Sequence, residues 1–386
     1  MKRQTLIGLF VFVLAVGPVS SVFAADGVIK IGISSSKSGS YTDVGASAKN
    51  GVELAAQEIN AGNGLSIGNK TYALELVFVD NGSDRSTASK NALSLISQDQ
   101  VMAIVGPQSS DRAILVGEVA NAFTTPMVTT WATAPEVTRN RPFVFRMTVM
   151  YGIQAKAITD FAVKEWKASK AAVIYDEVSS DPSGMTKAFR QAFEKENSVV
   201  AIEGHRPSDT DFSRQLQAVI NSDADFLYIP DYHKDALAIV KQARQMGWKK
   251  PIAGSNTWSL LDLATQCGTA CNGVVVTGNF AAGGADGKAE DFVENYRKKY
   301  SLPPDEVAAL NYDAIYLVAH ALKNTGGLSG NLLTDRVRLR DQIAATQAFE
   351  GVAGTLGFLG TGDPVKCTTL IRFDNGSLNT IDTSCP

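Results

Sequence analysis

Histidine and cysteine are scarce in this chain. Only three of the 386 residues are histidine, and His205, His233 and His320 stand alone, none beside a cysteine or another histidine at the spacing a zinc site needs. The four cysteines include no C-x-x-C pair, which removes the usual redox motif. Catalytic signatures are missing too: there is no H-E-x-x-H, no P-loop, and no G-x-S-x-G or G-x-G-x-x-G in strand–helix context. The glycines of 357–362 come in the wrong order for a nucleotide fingerprint and follow no good strand. One S-x-x-K match, Ser34 to Lys37, lacks the S-D-N companion of serine acyl-transferases. Basic blocks are also lacking, with 36 Lys and Arg against 39 Asp and Glu, and this argues against a nucleic-acid partner.

Long apolar runs are confined to the first 24 residues. There, Lys2 and Arg3 precede the apolar stretch Leu6 to Val16, and Val22-Phe23-Ala24 presents small residues where a signal peptidase reads. Gly17 and Pro18 break the run, which is shorter than the roughly 20 residues a bilayer span requires. The pattern predicts a cleaved export signal over 1–24 and a mature chain from Ala25, most simply periplasmic. The first cysteine is Cys267, so no cysteine stands at the cleavage site for a lipid anchor. Formal net charge is −3, and −5 once Lys2 and Arg3 are removed.

In an exported chain, four cysteines predict two disulfides, and spacing pairs Cys267 with Cys271 and Cys367 with Cys385. A mature chain of about 360 residues exceeds what one core sustains, so two domains are expected. The hydrophobic fraction, 45%, is enough for two cores.

From Val28 onward, short β-rich runs alternate with segments of helical period, the signature of parallel sheets covered by helices. The first series of strands is expected at 28–34, 73–79, 101–105, 126–130 and 143–147; the second at 170–176, 198–204, 225–229, 251–254 and 273–278. Helical faces run through Val44, Ala48, Val52, Ala55 and Ile59, and through Ile239, Val240 and Ala243. The rhythm slackens near Thr148 to Tyr151. After Phe280 come helices at 288–300, 305–324 and 335–346, a Gly-rich stretch at 351–362, and strands at 367–373 and 378–382. Helices returning to the first set and strands to the second would cross between two lobes more than once and make a hinge.

In open α/β sheets ligands bind beyond the C-terminal strand ends. The loops there are rich in hydroxyls and aromatics: SSSKSGSYTDVG (34–45), GPQSSDRA (106–113) and WATAPEVT (131–138) in the first half, then DEVSSDPSG (176–184), PDYHKD (230–235) and GSNTWS (254–259). Ser109 and Ser110 fall at a helix N-terminus, where free N–H groups and the dipole favour a carboxylate. Thr133 is placed similarly. The alternative is that these residues merely cap their own helices, Asp111 being favourable in a first turn. Asp181, Asp231, Tyr232, Asn256 and Trp258 could face Tyr41 and Trp131 across a cleft.

Taken together, the stretches at 30–60, 103–110, 131–138, 225–248 and 309–322 make the chain resemble the Leu/Ile/Val-binding proteins, periplasmic receptors of ABC importers. That resemblance implies an α/β fold of two Rossmann-like doubly wound lobes joined by a three-crossing hinge, the type I periplasmic binding protein fold. The first lobe would comprise 25–147 with about 280–352, and the second 148–279 with about 353–386. The resemblance implies Tyr41 at the cleft mouth, Ser109 and Thr133 on the ligand carboxylate, and Trp131 where the family is usually small and contributes a backbone carbonyl. It also implies Tyr232 as the aromatic that covers the ligand on closure. Two departures stand out: the family's Tyr-Gly-x-Gly is Asp181-Pro182-Ser183-Gly184 here, and the acid that takes the ligand ammonium falls on Asn256. A buried ammonium needs a carboxylate partner, which makes Asp181 and Asp231 the candidates to supply it.

The expectation is therefore a monomeric, non-enzymatic receptor that uses no cofactor and delivers a small carboxylate ligand, foremost an amino acid, to an ABC permease. Trp131 would narrow the pocket toward a polar, small or aromatic side chain, unless it packs under the hinge. Three alternatives are kept: a binder of ligands without an ammonium (aromatic or short acids, amides), a sensor for a separate regulatory partner, and a hydrolase using Ser34 and Lys37.

Overall fold

The structure, a computed structural model, describes residues 25–386; the expected export signal lies outside the described residues. In chain order the first part runs β1 (Gly27–Ser35), α1 (Thr42–Ala61), β2 (Leu65–Ile67), β3 (Lys70–Asp80), α2 (Arg85–Ser97), β4 (Ala103–Val105), α3 (Ser110–Ala122), β5 (Met127–Thr129) and β6 (Val144–Arg146). The second runs α4 (Tyr151–Trp166), β7 (Lys170–Asp176), α5 (Ser180–Phe193), β8 (Ser198–His205), α6 (Ser213–Asn221), β9 (Phe226–Ile229), α7 (His233–Gln245), β10 (Ile252–Gly254), α8 (Leu261–Cys267) and β11 (Val275–Gly278). The third holds α9 (Gly287–Tyr300), α10 (Glu306–Asn324), α11 (Leu332–Ala344) and strands β12 (Phe349–Gly351), β13 (Gly354–Phe358), β14 (Pro364–Lys366), β15 (Thr368–Asp374) and β16 (Ser377–Ser384).

Two sheets carry the lobes. The first has the order β2-β3-β1-β4-β5-β6, with β1 parallel to both neighbours, so that Ile31 stands opposite Leu76 and Ala103. The second has the order β16-β15-β11-β10-β9-β7-β8, parallel until β15 and β16 add an antiparallel edge. In each sheet the order reverses beside its first parallel strand, at β1/β4 and at β7/β9, which opens a crevice at the strand ends. Strands buried on both faces explain why β1, β4, β7 and β9 read as near-continuous apolar runs.

The first core packs Ile29, Ile31 and Ile33 of β1 against Val44, Ala48 and Val52 of α1 and Val307, Leu310 and Ile315 of α10. Helices α1 and α10 touch at Gly51, where a Cβ would overlap the Ala308 carbonyl oxygen. A side chain there would hold the helices apart. The second core packs Ile174, Leu227 and Ile229 against Ile239, Val240 and Trp258.

The return to the second lobe comes later than expected. Ala353, Leu356 and Phe358 are buried in the first core, and β12, β13 and β14 form a small antiparallel sheet on that lobe. The chain rejoins the second sheet at β15, which pairs Val276 with Ile371, so the boundary near 353 moves to about Cys367. The Gly-rich stretch thus hides a strand, β13, whose inward residues are too few to declare it. Both disulfides pair as spacing predicts, with Cα–Cα distances of 5.6 Å for Cys267–Cys271 and 4.1 Å for Cys367–Cys385. The latter ties the free end of β16 to the start of β15.

Candidate ligand site between the lobes

The strand ends of the two sheets face each other across a narrow cavity that the lobes' own side chains nearly fill, leaving about 10 Å³. Its walls come from the loops after β1 (Ser36, Tyr41), β4 (Gln108, Ser109), β5 (Trp131, Thr133), β7 (Asp181), β9 (Tyr232) and β10 (Thr257), with Val44 of α1 and Arg112 of α3. Val44 is the one aliphatic side chain in that wall. Walls of hydroxyls, aromatics and two charges suit a small polar ligand.

Asp181 is the centre of this arrangement. It lies in the first turn of α5, is buried, and reaches across the cleft to the N-terminus of α3. Its Oδ2 accepts the Ser110 N–H at 3.4 Å and the Tyr232 hydroxyl at 2.8 Å, while the Thr133 hydroxyl lies 3.5 Å from Oδ1. The first lobe therefore offers a cradle for one carboxylate, with a helix N-terminus behind it. Burial pushes the Asp181 carboxyl up, against the hydrogen bonds from Ser110 and Tyr232.

Neighbouring residues hold that cradle in shape. The Ser110 hydroxyl accepts the N–H groups of Thr133 and Ala134, both at 3.1 Å, joining α3 to the loop after β5. At the end of β6 the buried Arg146 guanidinium donates to the carbonyls of Ala132 (3.0 Å) and Ala134 (2.8 Å), on either side of Thr133. Its Nε meets Asp363 at 2.6 Å.

Contacts between lobes continue toward the cleft mouth. The Tyr41 ring meets Tyr232 edge-on at 5.4 Å. Just outside, His233 Nε2 lies 2.7 Å from Asp43 Oδ2, and Lys234 Nζ donates to the Ser40 carbonyl at 2.8 Å. The described state is a closed one.

The sequence-predicted residues divide clearly. Tyr41, Ser109, Trp131, Thr133, Asp181 and Tyr232 line the cavity, and Ser110 meets Asp181 from behind. Ser109, expected on the carboxylate, turns its hydroxyl to Asp111 Oδ1 at 2.6 Å, leaving the cradle to Ser110. Asp231 does not face the cavity. It is fully buried, its Oδ2 lies 2.8 Å from His205 Nε2, and its Oδ1 accepts the Asp176 N–H at 2.6 Å. An acid so engaged fastens the ends of β7, β8 and β9 together, outside the cavity wall.

Asn256 is not in the wall either, where its neighbour Thr257 stands. Its N–H goes to Gln154 at 3.3 Å, and its buried amide has no hydrogen-bond partner among the described residues. The S-x-x-K pair falls apart as a catalytic unit, Ser34 being buried in β1 and Lys37 exposed, with its backbone N–H on Asp80. Sequence reasoning missed Arg112, Gln108 and Thr257. All three lie in the loops that were singled out, but a lone arginine in a first helical turn ordinarily points to solvent.

Trp131 does both things considered for it. Its ring walls the cavity, and its Nε1 donates to Glu306 at 3.0 Å under the hinge. Glu306, the first residue of α10, also accepts the Asn279 N–H (2.8 Å) and side-chain amide (2.9 Å), and that amide reaches Thr148 at 2.9 Å. Thr148 and Asn279 lie on two of the three crossings. On the third, buried Lys366 donates to the Met147 carbonyl at 3.3 Å. Burial pushes the Glu306 carboxyl up, countered by Asn279 and the charge of Lys366.

Two doubly wound lobes, three crossings and a cavity closed between facing strand ends define the class of two-lobed solute receptors. A profile of the periplasmic binding protein family matches residues 28–377, and the chain belongs to that family. Among solved structures it is similar to the branched-chain amino acid transporter substrate binding protein LivJ of Streptococcus pneumoniae in complex with isoleucine. That likeness has 30% identity and a TM-score of 0.84 over 93% of this chain and 100% of the other. The leucine binding protein LivK of Thermotoga maritima is 27% identical, with a TM-score of 0.83 over 93% and 99%. The Leu/Ile/Val-binding protein homolog 3 of Brucella melitensis is 25% identical over 97% of this chain and 98% of its own length.

Proposed function

We propose that this protein is the periplasmic receptor of an ABC importer and that it closes on a small α-amino acid, which it then presents to a permease. The observation that carries the reading is Asp181 seated in the cradle of Ser110, Thr133 and Tyr232. An α-amino acid supplies both halves of an exchange: its carboxylate takes the cradle, and its ammonium gives the displaced Asp181 a partner. A carboxylate ligand without an ammonium would set two buried like charges side by side, which is costly.

Closure follows from the same geometry. First-lobe groups engage the carboxylate in the open form, and Asp181 and Tyr232 reach the ligand only once the second lobe has swung in. The ligand therefore favours the closed state by contacts that exist only there. No bond is made or broken. Names of relatives that bind isoleucine or leucine support the amino-acid class. The wall, with Val44 as its aliphatic member, favours a polar, small or aromatic side chain over a branched aliphatic one.

The test is thermal stability of protein unfolded, stripped of carried-over ligand and refolded, against amino acids, their deaminated acids and simple amides. A ligand at 100 times its dissociation constant adds about 2.7 kcal/mol. Stabilisation by amino acids but not by the deaminated acids supports the reading. Stabilisation by acids or amides lacking an ammonium replaces it with the second ligand class.

A further inference from the structure

Arg112 is a buried cation in the cavity wall whose ion pair with Asp111 is long and shared. Its side chain is 4% exposed and lies on the Tyr41 ring, with the guanidinium carbon 5.0 Å from the ring centroid. One terminal nitrogen donates to the Ser83 carbonyl at 3.1 Å, and Nε is buried without a hydrogen-bond partner among the described residues. Asp111 approaches only to 3.9 Å, and the same Asp111 oxygen accepts the Ser109 hydroxyl and the Arg112 N–H. The cavity's buried acid, Asp181, is engaged by Ser110 and Tyr232.

Geometry separates this cation from the carboxylate cradle. Ser110 and Arg112 are two positions apart on α3, a spacing at which side chains do not share a face. The cradle is built on the backbone of the first turn, while Arg112 reaches toward Tyr41 and the loop after β3. Both stand in one wall, so the cradle and the guanidinium can hold different parts of a single ligand. A flat, always-charged fork with an unpartnered, buried N–H is suited to a planar pair of oxygens.

We propose that Arg112 reads the ligand's side chain and selects one that ends in an acceptor oxygen, a carboxylate foremost and an amide next. This inference rests on the amino-acid reading above and sharpens it. It also accounts for the wall: aliphatic ligands would leave the buried N–H unpaired, and such a site rejects the analogue lacking the acceptor.

The experiment is calorimetric titration of ligand-stripped wild type and Arg112→Met with glutamate, aspartate, glutamine, asparagine, alanine and leucine. Wild type is expected to bind the best acceptor-bearing amino acid at least about tenfold tighter than leucine, and Arg112→Met to weaken that ligand about 10–100-fold, well beyond its effect on alanine. Leucine bound as tightly as any of the four by wild type, or equal losses for alanine and the acceptor-bearing ligands in the variant, overturns the inference. If Arg112→Met gives no cooperative melt, Arg112→Lys, which keeps the charge but not the fork, is expected to weaken the acceptor-bearing ligand more than alanine; equal losses for the two overturn the inference. If no amino acid binds wild type, the ligand-class reading falls separately. Arg112 is then tested with succinate and glutarate against butyrate, and equal effects of the substitution on all three overturn its role.

Discussion

His233, the first residue of α7, and Asp43, in the first turn of α1, join the two lobes at the cleft mouth through a 2.7 Å contact between Nε2 and Oδ2. Neither belongs to the cavity wall, so the pair adds to the closed state whatever the ligand. Burial opposes ionisation of Asp43, yet the His233 hydrogen bond and charge prevail and lower its carboxyl to about 2. A depressed carboxyl contributes stability that is present above the usual aspartate range and lost as pH falls through about 2. His233→Ala is expected to weaken ligand binding about fivefold, corresponding to about 1 kcal/mol for a partly exposed pair. The loss should appear mainly in the off-rate, measured by stopped-flow with a chasing ligand. An unchanged off-rate removes the latch.

His205 and Asp231 set a pH dependence of the whole fold. Burial opposes charge on the imidazole, but the hydrogen bond and charge of Asp231 outweigh it and raise His205 to about 9. A raised histidine contributes stability that is full below about 6.5 and lost as pH rises toward about 9. Melting temperature is expected to fall across that window in wild type and to fall less in His205→Gln. His205→Ala leaves Asp231 buried without its counter-charge, at a cost of about 3–5 kcal/mol in chemical denaturation at neutral pH.

Arg146 holds the loop that carries Thr133. Replacing it with methionine frees the carbonyls of Ala132 and Ala134 and leaves the Asp363 carboxylate without its guanidinium. The expected result is a loss of about 3 kcal/mol of stability or more and weaker ligand binding. Arg146→Lys is expected to recover stability in part but not affinity, because one ammonium cannot reach both carbonyls as the fork does. Equilibrium denaturation and calorimetry on the two variants separate these effects.

At the hinge, Trp131→Phe keeps a ring in the wall while removing the donor to Glu306. An acceptor left short of one partner in a buried network costs about 1–3 kcal/mol. Melting is expected to shift down accordingly in scanning calorimetry. No shift would show that Asn279 alone satisfies Glu306.

Much of this architecture is written in local pattern. Strands β7 and β15 and helices α9 and α10 begin or end within a residue of where apolar periodicity put them, because each buries a continuous run or stripe. The missed strands, β2 and β12 to β14, are three to five residues long and get their partners from antiparallel neighbours, a tertiary fact. The site was legible by position: residues after strands did converge. What a given side chain faces was less so. Asp231 and Asp181 both follow strands in the second lobe, but His205 from β8 claims the first, and only the second reaches the other lobe. Arg112 stayed hidden because its burial depends on Tyr41 closing over it, which nothing in its own helix announces.

The exchange at Asp181 is tested most directly by calorimetric titration of ligand-stripped wild type and Asp181→Asn with one amino acid that binds and with its deaminated acid. Wild type is expected to favour the amino acid by about 100-fold or more, and Asp181→Asn to lose most of that preference while still accepting a carboxylate in the cradle. Equal affinity of wild type for the two ligands, or an undiminished preference in Asp181→Asn, would contradict the account.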